Sequence, residues 1–367
     1  MKKLIVFDSP HPLAVNNKCF DSVYAHQGSG YFFWPSLYNE AAKNNIECIT
    51  SDIFLNQRLN ANQKYYCITD MYTSRTNKIL KKGAIPAICF SLESPLIART
   101  FYHNIEKYAG KFFHSYLFEG TRSRLKKTST QFHTMHFPVY SHIEKKNIPW
   151  QEKKYVVIIN SNKRATRANY SGITNSIFSI ASQLKFSFLK IIDPWMRIRE
   201  IYLDRIEAIK YFSKYDGFSL YGNGWNENIS GFGNEFNENV KKAWKGPLGP
   251  EIDSKLNTMN NFKFSICFEN CNFPGYITEK IFDCFFAKCI PIYYGAPDIS
   301  SNIPEGTYID YTKFKDLKEL DTYLKSMSEN EAEEYLKAIE DFLKSPAFEK
   351  FYVKNIVKEM IDVVVRN

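Results

Sequence analysis

One short stretch in the second half of this chain constrains its fold more than any other. It begins with an apolar run, Phe262–Phe268, and ends with a second one, Cys289–Tyr294. Between the two runs lies a Pro-Gly loop, followed by Ile277, Ile281 and Phe285 at helical spacing. A strand, a helix and a second strand in this order form a βαβ unit with parallel strands. The sequence therefore predicts a parallel sheet covered by helices.

Polar side chains follow the first strand of this unit and lie on its helix, where a ligand can bind. Glu269 and Asn270 follow the first strand, and Glu279, Lys280 and Asp283 form the polar face of the helix. In open α/β sheets, ligands bind at the carboxyl ends of the strands, and phosphates bind at helix N-termini. We therefore expect a nucleotide site at this edge.

The same stretch resembles the donor-binding signature of the α-1,3/1,4-fucosyltransferase family. The shared elements are F-x-x-x-F-E-N, G-Y-[IV]-T-E-K-[IL], P-[IV]-[YV] and a final Gly-x-Pro, here Gly295-Ala296-Pro297. Enzymes of this family transfer L-fucose from GDP-fucose to a sugar hydroxyl. The resemblance implies the GT-B architecture, in which two Rossmann-like α/β domains face a cleft and a C-terminal helix returns to the N-terminal domain.

Length and composition agree with two α/β domains. The chain has 367 residues, of which 44% are apolar, enough for two ordinary cores. We predict an acceptor-binding domain over 1–150, a donor-binding domain over 151–345, and a C-terminal helix over 346–367. The polar stretch His142–Lys154 is the predicted linker. We also expect one helix over Pro95–Tyr108 and a long loop over Asn226–Lys255.

Charge and cysteine content bear on partners and compartment. The formal charge of +9 favours anionic partners such as nucleotide diphosphates, acidic glycans, anionic membranes or nucleic acid, although a Lys-rich solvated surface explains it equally well. The eight Cys form no C-x-x-C pair and sit mostly in apolar runs, which favours a reduced, cytoplasmic protein. The first apolar run is too short for a signal peptide. The amphipathic last helix is expected to pack on the N-terminal domain, with peripheral contact to the inner membrane face as the minor alternative.

The diphosphate of a donor requires cations. After the strand Tyr155–Ile159, the residues Ser161, Asn162, Arg167 and Tyr170 resemble the family's S-N…R-x-x-[FY] element, although the gap is one residue shorter, so Arg164 remains a rival. The resemblance implies that Arg167 and Lys280 hold the phosphates, with Asn162 nearby. Arginine suits this role because its planar fork binds phosphate oxygens in pairs. An ordinary surface ion pair is the alternative for Arg167.

The resemblance also implies roles around the nucleoside. Glu279 would accept hydrogen bonds from the ribose hydroxyls, and Tyr276 and Asn270 would line the donor pocket. An ionised carboxylate is a pure acceptor and suits a vicinal diol. Complementation of the helix dipole is the alternative for Glu279, although Asp283 would then be an unfavourable like-charged neighbour four residues on.

A catalytic base is expected in the N-terminal half. Glu93 follows the apolar run Ile85–Phe90 and lies in the E-S-P context of the family's catalytic Glu. In that role it would take the proton of the acceptor hydroxyl as this oxygen attacks the anomeric carbon, and the configuration would invert.

Other signals limit the remaining possibilities. The pair His133-x-x-His136 lacks an acidic partner at metal-ligand spacing, so we expect no metal site and no required cofactor, while stimulation by Mn²⁺ or Mg²⁺ stays open. No nucleic-acid module is evident.

The leading hypothesis is an inverting fucosyltransferase that uses GDP-fucose and a galactose- or N-acetylglucosamine-containing glycan, such as a bacterial surface polysaccharide. A different nucleotide sugar is the first alternative, and a non-catalytic basic binding protein the second.

Overall fold

The computed structural model describes residues 1–25, 32–140, 145–162, 198–226, 233–249 and 251–367. Residue contacts divide the chain into two compact units. The first unit comprises Met1–Tyr140, Pro274–Glu279 and Phe348–Asn367. The second unit comprises Ser141–Phe273 and Lys280–Ala347. The boundary at Tyr140 lies earlier in the chain than the predicted one after residue 150.

A six-stranded parallel sheet forms the centre of the first unit. Its strands are β1 (Lys2–Asp8), β2 (Glu47–Thr50), β3 (Gln63–Asp70), β4 (Ile85–Phe90), β5 (His114–Leu117) and β6 (Gln131–Thr134). Their order across the sheet is β2-β1-β3-β4-β5-β6, and every neighbouring pair is parallel. The central strands are buried because their apolar runs face helices on both sides.

Helices of the first unit connect and cover these strands. They are Ser22–Ala25, Phe33–Lys43, Ser51–Asn56, Ser74–Lys81, Arg99–His103, Ile105–Ala109, Arg122–Leu125 and Val353–Arg366. The last of these packs against Phe33–Lys43 and buries an apolar stripe that includes Ile356, Met360 and Val364. Each such side chain contributes roughly 1.5–3 kcal/mol when it leaves water. The C-terminal helix therefore belongs to the first unit, as predicted.

The second unit contains a five-stranded parallel sheet. Its members are β7 (Lys154–Ile159), β9 (Phe218–Tyr221), β10 (Phe262–Phe268), β12 (Ile290–Tyr294) and β13 (Ile309–Asp310), in the order β13-β12-β10-β7-β9. Two short strands, β8 (Arg199–Glu200) and β11 (Cys271–Asn272), form a separate antiparallel pair. The helices are Tyr202–Phe212, Asn234–Ala243, Ile252–Asn260, Glu279–Phe286, Leu317–Ser326 and Glu329–Lys344.

The predicted fold class is confirmed in its two Rossmann-like α/β units, each built on a parallel sheet, and in the C-terminal helix that packs on the first unit. The βαβ unit has the expected form, since β10 pairs in parallel with β12 from Phe264 and Ile290 onward. Side chains from both strands, such as Phe264, Ile266 and Ile292, lie in one apolar core.

Three local predictions were wrong. The predicted loop Asn226–Lys255 contains the helix Asn234–Ala243 and the start of Ile252–Asn260. The single helix expected over Pro95–Tyr108 is two short helices that meet at Asn104. The predicted linker is packed in its described part, because Lys145 is buried and its ammonium donates to Asp253 and Asn257.

No helix among the described residues is long and apolar enough to cross a membrane. All eight Cys are free and buried.

Candidate functional site

A buried arginine joins the carboxyl ends of two strands in the second unit. Arg205, on the helix Tyr202–Phe212, is only 3% exposed. Its Nε and Nη2 donate to the Phe268 carbonyl at 2.9 and 2.6 Å. Nη1 donates to Asn160 Oδ1 at 3.2 Å, and Nη2 also donates to Asn270 Oδ1 at 3.0 Å. Because Asn160 follows β7 and Asn270 follows β10, one guanidinium fixes both side chains at the sheet edge.

Lys280 lies at the same edge and is held by a buried carboxylate. Its Nζ is 2.9 Å from Glu269 Oε2, and the Glu269 side chain is fully buried, whereas that of Lys280 is 23% exposed. The two opposite charges attract each other at this distance. The ammonium therefore stays close to the C-terminal end of β10, with part of its surface accessible.

A third cation, Lys255, lines the same small cavity as Lys280 and Arg205, with a volume of about 30 Å³. Lys255 Nζ is 2.6 Å from Asp283 Oδ2, and the Asp283 side chain is 2% exposed. Asp283, which was expected on the polar face of the helix with Glu279 and Lys280, is thus buried in an ion pair. Among these three cations and the two carboxylates, one positive charge remains, which suits an anionic ligand.

Two glycines allow close backbone approach around this edge. A Cβ on Gly295 would lie 2.4 Å from Tyr293 Oη and 2.6 Å from Glu269 Cγ. A Cβ on Gly222, whose φ is 129°, would lie 2.2 Å from the Asn160 carbonyl oxygen. Gly295 thus keeps room for the buried carboxylate, and Gly222 lets the loop after β9 reach the end of β7.

Asn162 attaches to this glycine loop. Its backbone N–H donates to the Asn223 carbonyl at 2.8 Å, and its side-chain amide donates to the Gly224 carbonyl at 2.7 Å. These contacts give Asn162 a role in shaping the loop. Arg167, the predicted phosphate ligand, and its rival Arg164 lie outside the described residues, as does Tyr170.

Tyr276 and Glu279 belong to the segment Pro274–Glu279, which the contacts assign to the first unit. Tyr276 is buried, and its ring packs edge-on against Phe118 with centroids 5.1 Å apart. The Pro274 carbonyl accepts from the Gly120 N–H at 3.1 Å. Packing therefore accounts for the ring of Tyr276. Glu279 is half-buried and opens its helix.

Glu93 lies in the loop after β4, at the carboxyl edge of the first unit's sheet, and is exposed. The loop is fixed around it. Its backbone N–H donates to Ser91 Oγ at 3.2 Å, and its carbonyl accepts from Tyr102 Oη at 2.8 Å. A carboxylate on a fixed loop at a strand end can serve as a base, since it is accessible and rigidly positioned.

No group of three or more side chains suited to hold a metal occurs in the part of the chain that the structure describes. His133 instead contacts His114 at 2.9 Å and Glu359 at 3.0 Å. His136 is largely buried, and burial, then Lys350, lowers its pKa to about 4.

Arg205 and Lys255 were missed from the sequence. Arg205 had a usable signal, because it falls on the apolar stripe of its helix with Ile201, Ile209 and Phe212, all buried. A charged residue in such a stripe requires buried partners. Lys255 carried no signal, since its ion pair with Asp283 joins two distant segments.

Comparison with known families identifies the segment that carries this edge. Residues 200–342 match the model described as glycosyltransferase family 10 (fucosyltransferase), C-terminal part. Over these residues the chain is similar to that family. The match includes Arg205, Lys255, Glu269, Asn270 and Lys280.

Individual relatives agree over a shorter stretch. An α-(1,3)-fucosyltransferase of Helicobacter pylori is 35% identical over 22% of this chain and 17% of its own length. An α-(1,4)-fucosyltransferase of Arabidopsis thaliana is 33% identical over 20% of this chain and 18% of its own. The matches thus span under a fifth of these relatives' lengths. A crystal structure of an α-1,3-fucosyltransferase with GDP aligns over 100% of this chain and 91% of its own, with 13% identity and a TM-score of 0.48.

Proposed function

We propose that this protein is an inverting glycosyltransferase that moves L-fucose from GDP-fucose to a hydroxyl of a galactose- or N-acetylglucosamine-containing glycan, in an α-1,3 or α-1,4 linkage. The main support is the cationic edge of the second unit, where Arg205, Lys255 and Lys280 line one cavity within the family 10 segment. The H. pylori and A. thaliana relatives are named for these two linkages.

The donor's diphosphate is the group that this edge suits best. When the bond between C1 of fucose and the phosphate oxygen breaks, both bonding electrons stay with GDP, so negative charge develops on the diphosphate. Lys280, Lys255 and Arg205 lower the energy of that charge, and Arg167 is proposed as a fourth cation. Preorganised charges of this kind act most strongly where water is excluded.

The acceptor's proton needs a base. In the proposed reaction, the acceptor oxygen attacks C1 on the face opposite to GDP, and its proton passes to the Glu93 carboxylate. A β-linked donor then gives an α-linked product. General-base catalysis accelerates such a step by about 10²–10⁴-fold.

The nucleoside contacts remain proposals. Glu279 would accept from the ribose hydroxyls. Arg205 donates to Asn270 Oδ1, and this contact fixes the orientation of the Asn270 amide N–H groups. Tyr276 would contribute to the donor pocket through its hydroxyl, because its ring packs on Phe118.

A donor panel tests the proposal directly. The purified protein is incubated with GDP-fucose, GDP-mannose, UDP-galactose or UDP-N-acetylglucosamine and a small glycan array, with products identified by mass spectrometry and linkage by NMR. Release of GDP together with fucosylated glycan supports the proposal. Transfer from another nucleotide sugar supports the first alternative, in which fold and mechanism stay the same and the donor differs. Absence of transfer from every donor refutes both.

Donor binding offers a second test with a matched control. Lys280→Ala should weaken GDP binding at least tenfold by calorimetry, because the accessible ammonium at the edge is lost. Lys242→Ala is the control, since Lys242 is 77% exposed and pairs only at the surface with Asp216 among the described residues. Equal loss in both variants would point to a general charge effect.

The non-catalytic alternative makes a different prediction. A basic binding protein would bind DNA or anionic vesicles with steep salt dependence and transfer no sugar. The proposal instead expects GDP-fucose and a glycan as partners and no nucleic acid. It expects no required cofactor, with Mn²⁺ or Mg²⁺ tested as stimulators, and a cytoplasmic location with peripheral contact to the inner membrane face as the minor alternative.

A further inference from the structure

Three carboxyl groups meet at the carboxyl edge of the first unit's sheet. Asp8 ends β1, Asp70 ends β3, and Glu93 follows β4. Because β3 lies between β1 and β4 in the sheet, Asp70 is between the other two. Such proximity of like charges at a strand edge is costly unless each group is compensated or neutral.

Asp8 is compensated mainly by a cation, since its Oδ1 forms an ion pair with Arg75 but, like Asp70 Oδ1, no hydrogen bond among the described residues. Its Oδ1 is 3.2 Å from the Arg75 guanidinium, and its Oδ2 accepts from the Thr73 and Thr76 hydroxyls at 2.6 and 2.7 Å. Arg75 also donates to the Ser9 carbonyl. Arg75 and the Thr73 and Thr76 hydroxyls are thus engaged with Asp8.

Asp70 is compensated far less. It is only 7% exposed, and its Oδ2 accepts from Ser9 Oγ at 3.0 Å. Its Oδ1 is buried and makes no hydrogen bond of normal geometry within the described ranges, while the Leu92 amide lies close enough to lower the pKa of the carboxyl. A buried carboxyl oxygen without a donor is rare in folded proteins and calls for a physical reason.

The backbone at Asp70 is also unusual. The next residue, Met71, has a φ of 59°, which is strained for a residue other than glycine or asparagine. Its N–H donates to the Phe90 carbonyl at 2.7 Å, so the end of β3 is tied to the end of β4. Local strain of this kind is retained where the surrounding structure must fix a side chain.

We propose that Asp70 is a positioning residue for Glu93, and that the charge on its buried carboxyl sets how strongly Glu93 binds the proton of the acceptor hydroxyl. The inference rests on the proposed function, in which Glu93 is the base. Asp70 touches no substrate in this proposal and acts only through Glu93.

The electrostatics of the edge support this coupling. Burial raises the pKa of Asp70 to about 7, the charges of Glu93 and Asp8 add to the rise, and the Ser9 hydroxyl and the Leu92 amide oppose it. On β4, burial and then Asp70 raise the pKa of the Cys89 thiol. Asp70 therefore gains its charge near neutral pH, and that charge makes Glu93 a stronger base.

The test is the pH dependence of fucose transfer in the full chain, measured as kcat/KM from pH 5 to pH 9. The wild type should show a rise with an inflection near pH 7. Asp70→Asn should lose this inflection and fall about threefold to tenfold at pH 8, since a weaker base transfers the proton more slowly. GDP affinity should stay unchanged.

A second variant moves the inflection in a stated direction. Ser9→Ala removes the hydroxyl that lowers the pKa of Asp70, so the inflection should shift to higher pH while the activity at pH 9 is kept. This variant also keeps the test valid if Asp70→Asn fails to fold, which thermal unfolding would reveal.

The outcomes separate the two proposals. Suppose that the wild type transfers fucose. If the inflection is then retained in Asp70→Asn, or does not move in Ser9→Ala, only the proposed role of Asp70 is overturned. A wild type that transfers no sugar overturns the proposed function, and the titration of Asp70 is then read from stability instead.

Discussion

The titration of Asp70 predicts a pH dependence of stability that can be tested without measuring sugar transfer. Its pKa is about 7 in the folded protein against an ordinary value of 3.8. Between these two values the folded state binds more protons than the unfolded state, so the free energy of unfolding falls as the pH rises through this window. At 1.36 kcal/mol per pKa unit, the loss is complete above pH 7 and amounts to about 4 kcal/mol.

Asp70→Asn removes this pH dependence, because an amide does not titrate. Two pH units separate pH 5 from the folded pKa of about 7. Between pH 5 and pH 8, the unfolding free energy of the wild type should therefore drop by about 3 kcal/mol relative to that of the variant. The variant should therefore lose less unfolding free energy than the wild type between pH 5 and pH 8, although it buries an amide in place of a carboxyl.

Hydrogen exchange measured by mass spectrometry can resolve this difference. Peptides from β3 and β4 report the opening of the first unit, and their rates are corrected for the intrinsic effect of pH. Asp216→Asn is the control, since the Asp216 side chain is 93% exposed. If the wild type and Asp70→Asn change in parallel between pH 5 and pH 8, the carboxyl does not titrate in this range and the reasoning fails.

Three further predictions concern the site. Glu93→Gln should lower kcat by about 10²–10⁴-fold and leave calorimetric GDP affinity intact; full activity would remove Glu93 from the base role. Lys280→Ala should destabilise the protein by about 3–5 kcal/mol in urea unfolding, because it removes the ammonium that lies 2.9 Å from the buried Glu269 carboxylate. Adding Glu269→Gln should recover much of that loss, and an additive double variant would contradict the pairing. Gly295→Ala should cost about 1–3 kcal/mol, since its Cβ would collide with Tyr293 Oη; unchanged thermal stability would show that the ring moves aside.

The central strands could be predicted because their apolar runs are uninterrupted. Ile85–Phe90 and Phe262–Phe268 have the predicted bounds. The edge strands β6 and β13 were missed, because QFHT has one strongly apolar residue and β13 has two residues in all. An edge strand is defined by its neighbour rather than by its own pattern.

Helix prediction failed where polar composition hid the periodicity. The helix Asn234–Ala243 buries Phe236, Val240 and Ala243, which have helical spacing, but Asn and Gly around them suggested a loop. For the candidate site, the motif located Asn270 and Lys280, and its place on an apolar stripe could have indicated Arg205. The pairing of Lys255 with Asp283 could be recognised only from its contact. Ion pairs between distant segments leave no local pattern in a sequence.

The grouping of segments into units has a consequence for biosynthesis. The first unit is assembled from the start of the chain, the six residues Pro274–Glu279 and the final stretch Phe348–Asn367, whereas the second is nearly continuous. During translation, the sheet that the ribosome makes first must wait for its covering helix Val353–Arg366, which emerges only after the second unit has been made. The nascent N-terminal half therefore exposes the apolar surface of Phe33–Lys43 for most of synthesis, and a chain stalled before residue 348 would be a natural client for chaperones.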